Sequence, residues 1–418
     1  MLAAIVASGA AGAVRPGAED EPAVVAASFE RTQGPDACGR LRADGRLIRC
    51  EDGSPFRWRG VTGFRLVHHV ATGDEAAARR YLAWARETGF NVIRVLSTAA
   101  LLFDLEPAAG RAALPKALAL AREFGLYVEV AAAIDTAERE YDWPGHARDV
   151  AGICAAAINC VFEFANEPGH GVQDVRLHDM AAVDRFAADA VAGFDLLWTA
   201  GPSWGSDVAD VPSGAFVVRH LDRGGTPWEM AGRLAEFEAL SARLNKPVVS
   251  NEPIGFDEVD GSSTGRQRIV DCDAALVFGV LARVLEVATT FHLQAGLQNE
   301  EPGPVQQQCA EDYVRGTRLV PDRLEFRRLE PGAAHYPVAS AHRDRIVYAA
   351  AAGRDALVVA FGASGGPDVA WQGVREADHV LDRASVDVWR VRLDSPGSGG
   401  SLWESNPPLP PEAGGDRF

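Results

Sequence analysis

Between Phe56 and Gln294 the sequence repeats one unit: a short apolar run, a turn marked by Gly, Pro, Asp or Asn, and a longer stretch with helical spacing. The apolar runs read as strands over Phe56–Phe64, Phe90–Leu96, Leu126–Ile134, Cys160–Ala165, Phe194–Ala200, Ala215–Leu221, Pro247–Glu252 and Ala288–Gln294. Helices are expected over Ala76–Thr88, ended by Gly89, and over Leu114–Phe124, ended by Gly125. Further helices are expected over His146–Ile158, from about Val175 to Val191, over Trp228–Leu244 and over Ile269–Val287. The fifth and sixth strands are joined by a segment too short for much more than one helical turn. Eight strands alternating with helices over about 260 residues have the length and order of a (β/α)8 barrel. The alternative is an open doubly wound sheet, but no Gly-rich phosphate turn follows the first strand.

The flanks read differently. LRADGRLI, Leu41–Ile48, looks like a hairpin turning at Asp44-Gly45, which brings Cys38 and Cys50 together. Beyond Gln294 a Gln- and Pro-bearing loop leads to a short helix over Cys309–Arg315, and from His335 to Leu393 short alternating runs predict a small C-terminal all-β domain. The expected layout is an export segment and linker over 1–28, the barrel with its hairpin over 29–330, a small β-sandwich-like domain over 331–394, and a disordered Pro-, Gly- and Ser-rich tail over 395–418.

With 418 residues and 47% hydrophobic content, the chain can bury a full core. A net charge of −17 without a clustered run of Lys and Arg argues against nucleic acid as a partner, and an uncharged or small substrate fits better. No segment reaches the apolar length of a membrane span. The opening MLAAIVASGAAGAV is apolar and rich in small residues but lacks a basic start; it reads as an export signal and predicts a secreted or periplasmic protein. In that setting the six cysteines suggest Cys38–Cys50, Cys154–Cys160 and Cys272–Cys309 bridges, with Cys154 and Cys160 as buried free thiols the alternative.

The chemistry is carried by CVFEFANEPGH, Cys160–His170, where an apolar strand runs into Asn166-Glu167 and stops at Pro168-Gly169. Alternation puts Val161, Glu163, Ala165 and Glu167 on one face, and a buried carboxylate must find a cation, a donor or a proton. The arrangement recurs in KPVVSNEPIG, where a short strand runs into Asn251-Glu252-Pro253. Paired carboxyl groups across a small gap are what glycoside cleavage requires. The strand ends of a barrel form its active face, which gathers Arg94, Asp135, Asn166, Glu167, His220, Glu252 and His292 or Gln294.

These motifs resemble the clan of retaining glycoside hydrolases built on (β/α)8 barrels, near the cellulase and mannanase type called family five. The resemblance covers roughly residues 40–300: the Trp58-Arg59-Gly60 entry, the strand-two arginine of NVIRV at Arg94, and E-x-x-N-E-P from Glu163 to Pro168. It implies that Glu167 is the acid/base, Asn166 holds the sugar 2-hydroxyl, and Glu252 is the nucleophile, with Arg94 favouring its ionised form. Three departures stand out. Pro253-Ile254 follows Glu252 where the clan has aromatic-glycine, Leu221-Asp222 follows His220 where family five has x-tyrosine, and FHLQAGLQ lacks the usual tryptophan.

Each residue has a plainer reading. Glu167 can act on the first turn of a following helix, Arg94 can be a buried partner for Glu163, His220 can be a core histidine, and Asp135 a helix cap. Among Trp143, Trp198, Trp204 and Trp228, Trp204 is the best candidate for a subsite wall and Trp198 reads as core. His68 and His69, read as strand neighbours, point to opposite faces and cannot chelate one metal, so neither metal nor cofactor is expected. A carbohydrate-binding barrel without turnover is the alternative function.

Overall fold

The computed structural model describes residues 34–202, 213–220, 227–257, 268–269, 272–293, 303–320, 326–329, 338–339, 346–361, 369–370, 374–383 and 386–397. Over some of these, including 227–233 and 252–257, it describes the backbone alone. The expected export segment, Trp204 and the tail beyond residue 397 lie outside the described residues.

A single-turn helix α1 (Pro35–Cys38) precedes the hairpin β1 (Arg42–Asp44) and β2 (Leu47–Arg49), in which Asp44 pairs with Leu47. Eight parallel strands follow in a ring: β3 (Arg59–Thr62), β4 (Val92–Leu96), β5 (Tyr127–Ala133), β6 (Cys160–Ala165), β7 (Trp198–Thr199), β8 (Val217–Arg219), β9 (Val248–Asp257) and, after the short β10 (Arg268–Ile269), β11 (Ala288–Leu293). Neighbours pair in parallel from β8 through β9, β11, β3, β4, β5 and β6 to β7, and an isolated parallel bridge between Pro202, just beyond β7, and Val218 of β8 spans the remaining seam. This is the expected (β/α)8 barrel.

Strand parity decides what lines the barrel. Val92, Tyr127, Val161, Leu197, Phe216, Val218 and Val249 point inward and form one cluster with Trp58, Phe56, Leu41, Ile48 and the Cys38–Cys50 disulfide, so the hairpin plugs the barrel's lower end. The alternate residues, such as Phe162 and Phe164, point outward into a larger cluster shared with the helices. Polar side chains are thereby left the upper, carboxyl-end half of the interior.

The helices differ from expectation at their ends. Leu66–Ala71 forms a short helix, α2, so His68 and His69 lie on a helix rather than a strand. Helix α3 (Glu75–Thr88) is capped by the Asp74 carboxylate on the Ala77 N–H at 3.1 Å and closed by Gly89 at φ 109°. Helix α4 (Pro107–Glu123) begins about two turns before the expected Leu114 and runs through Gly110 and Pro115, which look like breakers in the sequence. Pro107 starts it, and the absent side chain of Gly110 lets the helix lie against the Ser97 carbonyl, 1.8 Å from where a Cβ would sit. Helix α5 spans Trp143–Ala156, and the expected Val175–Val191 helix divides into a 3-10 turn at Val175–Leu177 and α6 (Met180–Val191), which Asp179 caps. Helices α7 (Pro227–Leu244), α8 (Cys272–Val284) and α9 (Pro304–Leu319) complete the outer layer among the described residues.

Helices α8 and α9 are joined twice. The Cys272–Cys309 disulfide bonds the first residue of α8 to the second turn of α9, and Gly279 and Gly316 bring the backbones so close that a Cβ at Gly279 would fall 2.2 Å from the Tyr313 oxygen and one at Gly316 2.1 Å from that of Leu276. The third disulfide, Cys154–Cys160, links α5 to β6, so all three expected pairings form.

After the barrel, β12 (Arg327–Leu329), β13 (Val338–Ala339), β14 (Ile346–Phe361), β15 (Val369–Ala370), β16 (Val374–Arg383) and β17 (Val386–Gly397) build the C-terminal all-β part. Four strands form an antiparallel sheet in the order β12-β14-β17-β16, and β13 pairs with β15. Strand β17 reaches Gly397, three residues into the stretch expected to be disordered. Leu357, Val359, Val386 and Val388 of this sheet belong to the same buried cluster as the barrel's outer core.

Candidate active site

The upper interior is organised by Arg94 on β4. Its guanidinium grips Glu163 on β6 through two bonds, Nε to Oε2 at 2.8 Å and Nη2 to Oε1 at 2.9 Å, and both side chains are 0% exposed. Nη2 also donates to Asn166 Oδ1 at 2.7 Å. A bidentate, fully desolvated pair of this kind holds geometry well, and either partner alone would be a costly buried charge.

A second arm reaches β9. Asn251 Nδ2 lies 3.2 Å from Glu163 Oε2 and 3.3 Å from Glu129 Oε1, the latter on β5, and both Asn251 and Glu129 are fully buried. The two asparagines that precede the two candidate acids are therefore tied into one buried network, Asn166 through Arg94 and Asn251 through Glu163. Glu129 belongs to this network and went unrecognised in the sequence; its signal was a carboxylate inside the apolar run LYVEVAAAI, the same signal that marks Glu163.

Beyond Asn251 the strand does not end, as the sequence suggested, at Glu252. It runs on to Asp257, and its register against β11 shifts: Ser250 faces Thr289 but Ile254 faces Phe291, four residues of β9 spanning two of β11. Glu252 and Pro253 sit in this bulge, where the ladder is broken and a proline's missing N–H costs nothing. Phe256 and Asp257 then pair with β10 above the rim. The Glu252 side chain lies outside the described atoms.

At the end of β6, Glu167 has φ 46°, in the left-handed region that non-glycine residues rarely occupy. Its carboxylate is 23% exposed, and Oε1 lies 3.1 Å from Nδ1 of His220, which follows β8. Glu167 and His220, picked independently as strand-end residues, thus meet. His292, 1% exposed on β11, packs edge-on to Phe64 with ring centroids 5.6 Å apart, and Phe64 lies 5.5 Å beneath the Arg94 guanidinium.

Asp135, also at positive φ (51°), turns to the neighbouring loop: its Oδ2 accepts the N–H groups of Ala100 and Leu101, each at 3.1 Å. Burial pushes its carboxyl above the usual range, against the opposing pull of those two donors. Trp143 is core, 2% exposed, packed edge-on against Phe186 and Phe164.

A residue with no sequence signal, Gln173, fastens the loop after β6 to the loop after β5. Its amide nitrogen donates to the carbonyls of Asn166 and, at 3.4 Å, Ala133, while its amide oxygen accepts from the Thr136 N–H at 3.2 Å and hydroxyl at 2.8 Å.

His68 and His69 have separate surroundings. His69 Nδ1 faces Asp74 at 3.9 Å, and His68 packs on Phe103 with burial, then Arg65, lowering its proton affinity. Among the described residues no group of three or more His, Cys, Asp or Glu is placed to hold a metal ion, and no helix is long and apolar enough to cross a membrane.

No protein-family model matches the chain. No curated protein matches its sequence. Solved structures do match in fold. A glycoside hydrolase superposes with a TM-score of 0.61 at 15% identity, over 86% of this chain and 98% of that one. A family 5 glycoside hydrolase from Bacteroides vulgatus gives 0.55 at 14% identity, over 78% and 80%, and a family 5 mannosidase from Rhizomucor miehei 0.51 at 13%, over 68% and 98%. The barrel described here has the fold of the family 5 glycoside hydrolases.

Proposed function

We propose that the protein is a retaining glycoside hydrolase that cleaves β-linked oligo- or polysaccharides, with Glu167 as acid/base and Glu252 as nucleophile. The observation that supports this most is the buried network in which the asparagines preceding both glutamates are anchored to Arg94 and Glu163. A network that fixes two Asn-Glu pairs from opposite sides of a barrel mouth suits a reaction that needs two carboxyl groups at a set separation, about 5 to 5.5 Å for retention.

In the first half-reaction Glu252 attacks the anomeric carbon while Glu167 gives its proton to the leaving oxygen, forming a glycosyl ester and breaking the glycosidic bond. In the second, Glu167, now a carboxylate, takes a proton from water as the water oxygen displaces Glu252. His220, within hydrogen-bond reach of Glu167, is placed to stabilise the carboxylate between the two halves. Asn166, His292 and Trp204 are candidate sugar contacts, Arg94 acts through Glu163 and Asn166, and Asp135 shapes the loop at Ala100 and Leu101. Three disulfides support a secreted or periplasmic location, where such bonds persist.

The test is turnover of aryl β-glycosides and soluble β-glycans by the wild type, Glu167→Ala and Glu252→Ala. Both variants should lose about 10³-fold or more in kcat, and azide should rescue Glu252→Ala with an inverted glycosyl azide as product. No turnover by the wild type, with glycan binding unchanged in both variants, identifies instead a non-catalytic carbohydrate-binding barrel. The aromatics missing after His220 and from FHLQAGLQ are what favour that second reading.

A further inference from the structure

We infer that Gln173 is a positioning residue that locks Glu167 in its left-handed conformation against His220. The inference rests on the acid/base role proposed for Glu167, but its geometry stands independently. Asn166 is held at each of its polar groups but its amide nitrogen: its N–H donates to the Ala133 carbonyl at 3.1 Å, its Oδ1 accepts from Arg94 at 2.7 Å, and its carbonyl accepts from Gln173. The peptide leading into Glu167 is thereby fixed on both sides. A non-glycine residue at φ 46° is strained and persists only where its surroundings over-determine it.

Gln173 is 3% exposed and uses both donors and both lone pairs of its amide, two to the carbonyls and two from Thr136. Only a primary amide can donate on one side and accept on the other in this way; a carboxylate would set oxygen against two carbonyl oxygens. Thr136 in turn accepts the Asp174 N–H at 2.7 Å, so the loop carrying Gln173 is bound back to the loop it clasps. Asp174 is anchored by Trp143 and Arg176, which hold its carboxyl well below the usual range, Arg176 being the larger cause. Cutting the clasp frees the Asn166 carbonyl, lets Glu167 relax towards an ordinary backbone conformation, and separates it from His220.

The test is a coupling measurement by NMR. In otherwise wild-type protein, Glu167→Gln should shift the His220 Nδ1 resonance measurably, because the carboxylate 3.1 Å from that nitrogen is replaced by an amide. In Gln173→Met and Thr136→Val backgrounds the same substitution should move it little. On an aryl glycoside, Gln173→Met should lose about 10²-fold in kcat with KM nearly unchanged and an altered pH profile, while Asn or Glu at position 173 fails to rescue. Undiminished Glu167–His220 coupling in folded Gln173→Met or Thr136→Val overturns the inference. The NMR arm decides this even if no glycan is turned over, so loss of the hydrolase reading and loss of the clasp are read separately.

Discussion

Arg94 shows how one residue's chemistry reaches the function through packing. Its charge is fully buried and balanced by Glu163, so Arg94→Met leaves a carboxylate without its cation in the barrel interior. The expected cost is about 3 to 5 kcal/mol, seen as a lower urea midpoint, and Arg94→Met with Glu163→Leu should recover much of it because the two charges of the pair leave together. No recovery in the double variant would place the effect elsewhere. His146 supplies a pH dependence. It is 1% exposed, accepts from Arg111 at 2.7 Å and lies 3.0 Å from Ser97 Oγ, and burial, then the Arg111 charge, pushes its pKa down to about 3. The folded imidazole stays neutral while the unfolded one protonates near pH 6.5, so this contribution is complete above that pH and is lost as pH falls towards 3. By about pH 4.5 the loss should reach roughly 2 to 3 kcal/mol, and His146→Gln should show a correspondingly flatter dependence of urea midpoint on pH. At this scale the strand residues were legible: period-two alternation put Glu163 on a face that must find a partner, and strand-end logic gathered Arg94, Glu167 and His220 at one rim. Gln173 was not, because a loop glutamine acquires its role only from which carbonyls the fold brings to it.

Elements were legible in kind and order but not in extent. Strand β9 looked like a copy of β6, ending at Asn-Glu-Pro, yet the bulge carries it to Asp257; proline reads as a terminator unless the ladder has already given up that N–H. Helix α4 was foreshortened for the converse reason. Gly110 and Pro115 carry low helical propensity, but tertiary packing at the Ser97 carbonyl and the Pro107 start outweigh it. The same reasoning yields a prediction at the α8–α9 contact. Gly279→Ala and Gly316→Ala each set a methyl against backbone, 2.2 Å from the Tyr313 oxygen and 2.1 Å from the Leu276 oxygen, which a helix bonded to its neighbour by Cys272–Cys309 cannot easily yield. Each should cost about 1 to 3 kcal/mol by calorimetry, whereas Gly171→Ala, with nothing within 4 Å of the new carbon, should stay within about 0.5 kcal/mol. Equal effects at all three positions would mean that the close approach is not what selects glycine.

At the scale of the whole molecule, the sequence suggested two domains by a shift in composition to short alternating runs, and the packing gives that boundary a different weight. The C-terminal sheet contributes Leu357, Val359, Val386 and Val388 to the barrel's outer core, with Phe326, Tyr348 and Val380 packed against the same cluster. Domains joined by a polar contact unfold separately, but a shared apolar core couples them, because separating the two exposes buried surface on both sides at about 25 cal/mol per Å². The full chain should therefore melt in one calorimetric transition whose calorimetric and van't Hoff enthalpies agree. A chain ending at residue 330 should melt about 10 °C lower or more, or aggregate, and should bind a hydrophobic dye that the full chain excludes. The disulfides sharpen the test, since Cys38–Cys50, Cys154–Cys160 and Cys272–Cys309 all lie before the cut and remain intact in both chains. Any loss of stability then belongs to the sheet. Two resolved transitions in the full chain, with the truncated barrel melting at the same temperature as the first, would show that the sheet is a separate module and that the shared cluster carries no stabilising energy.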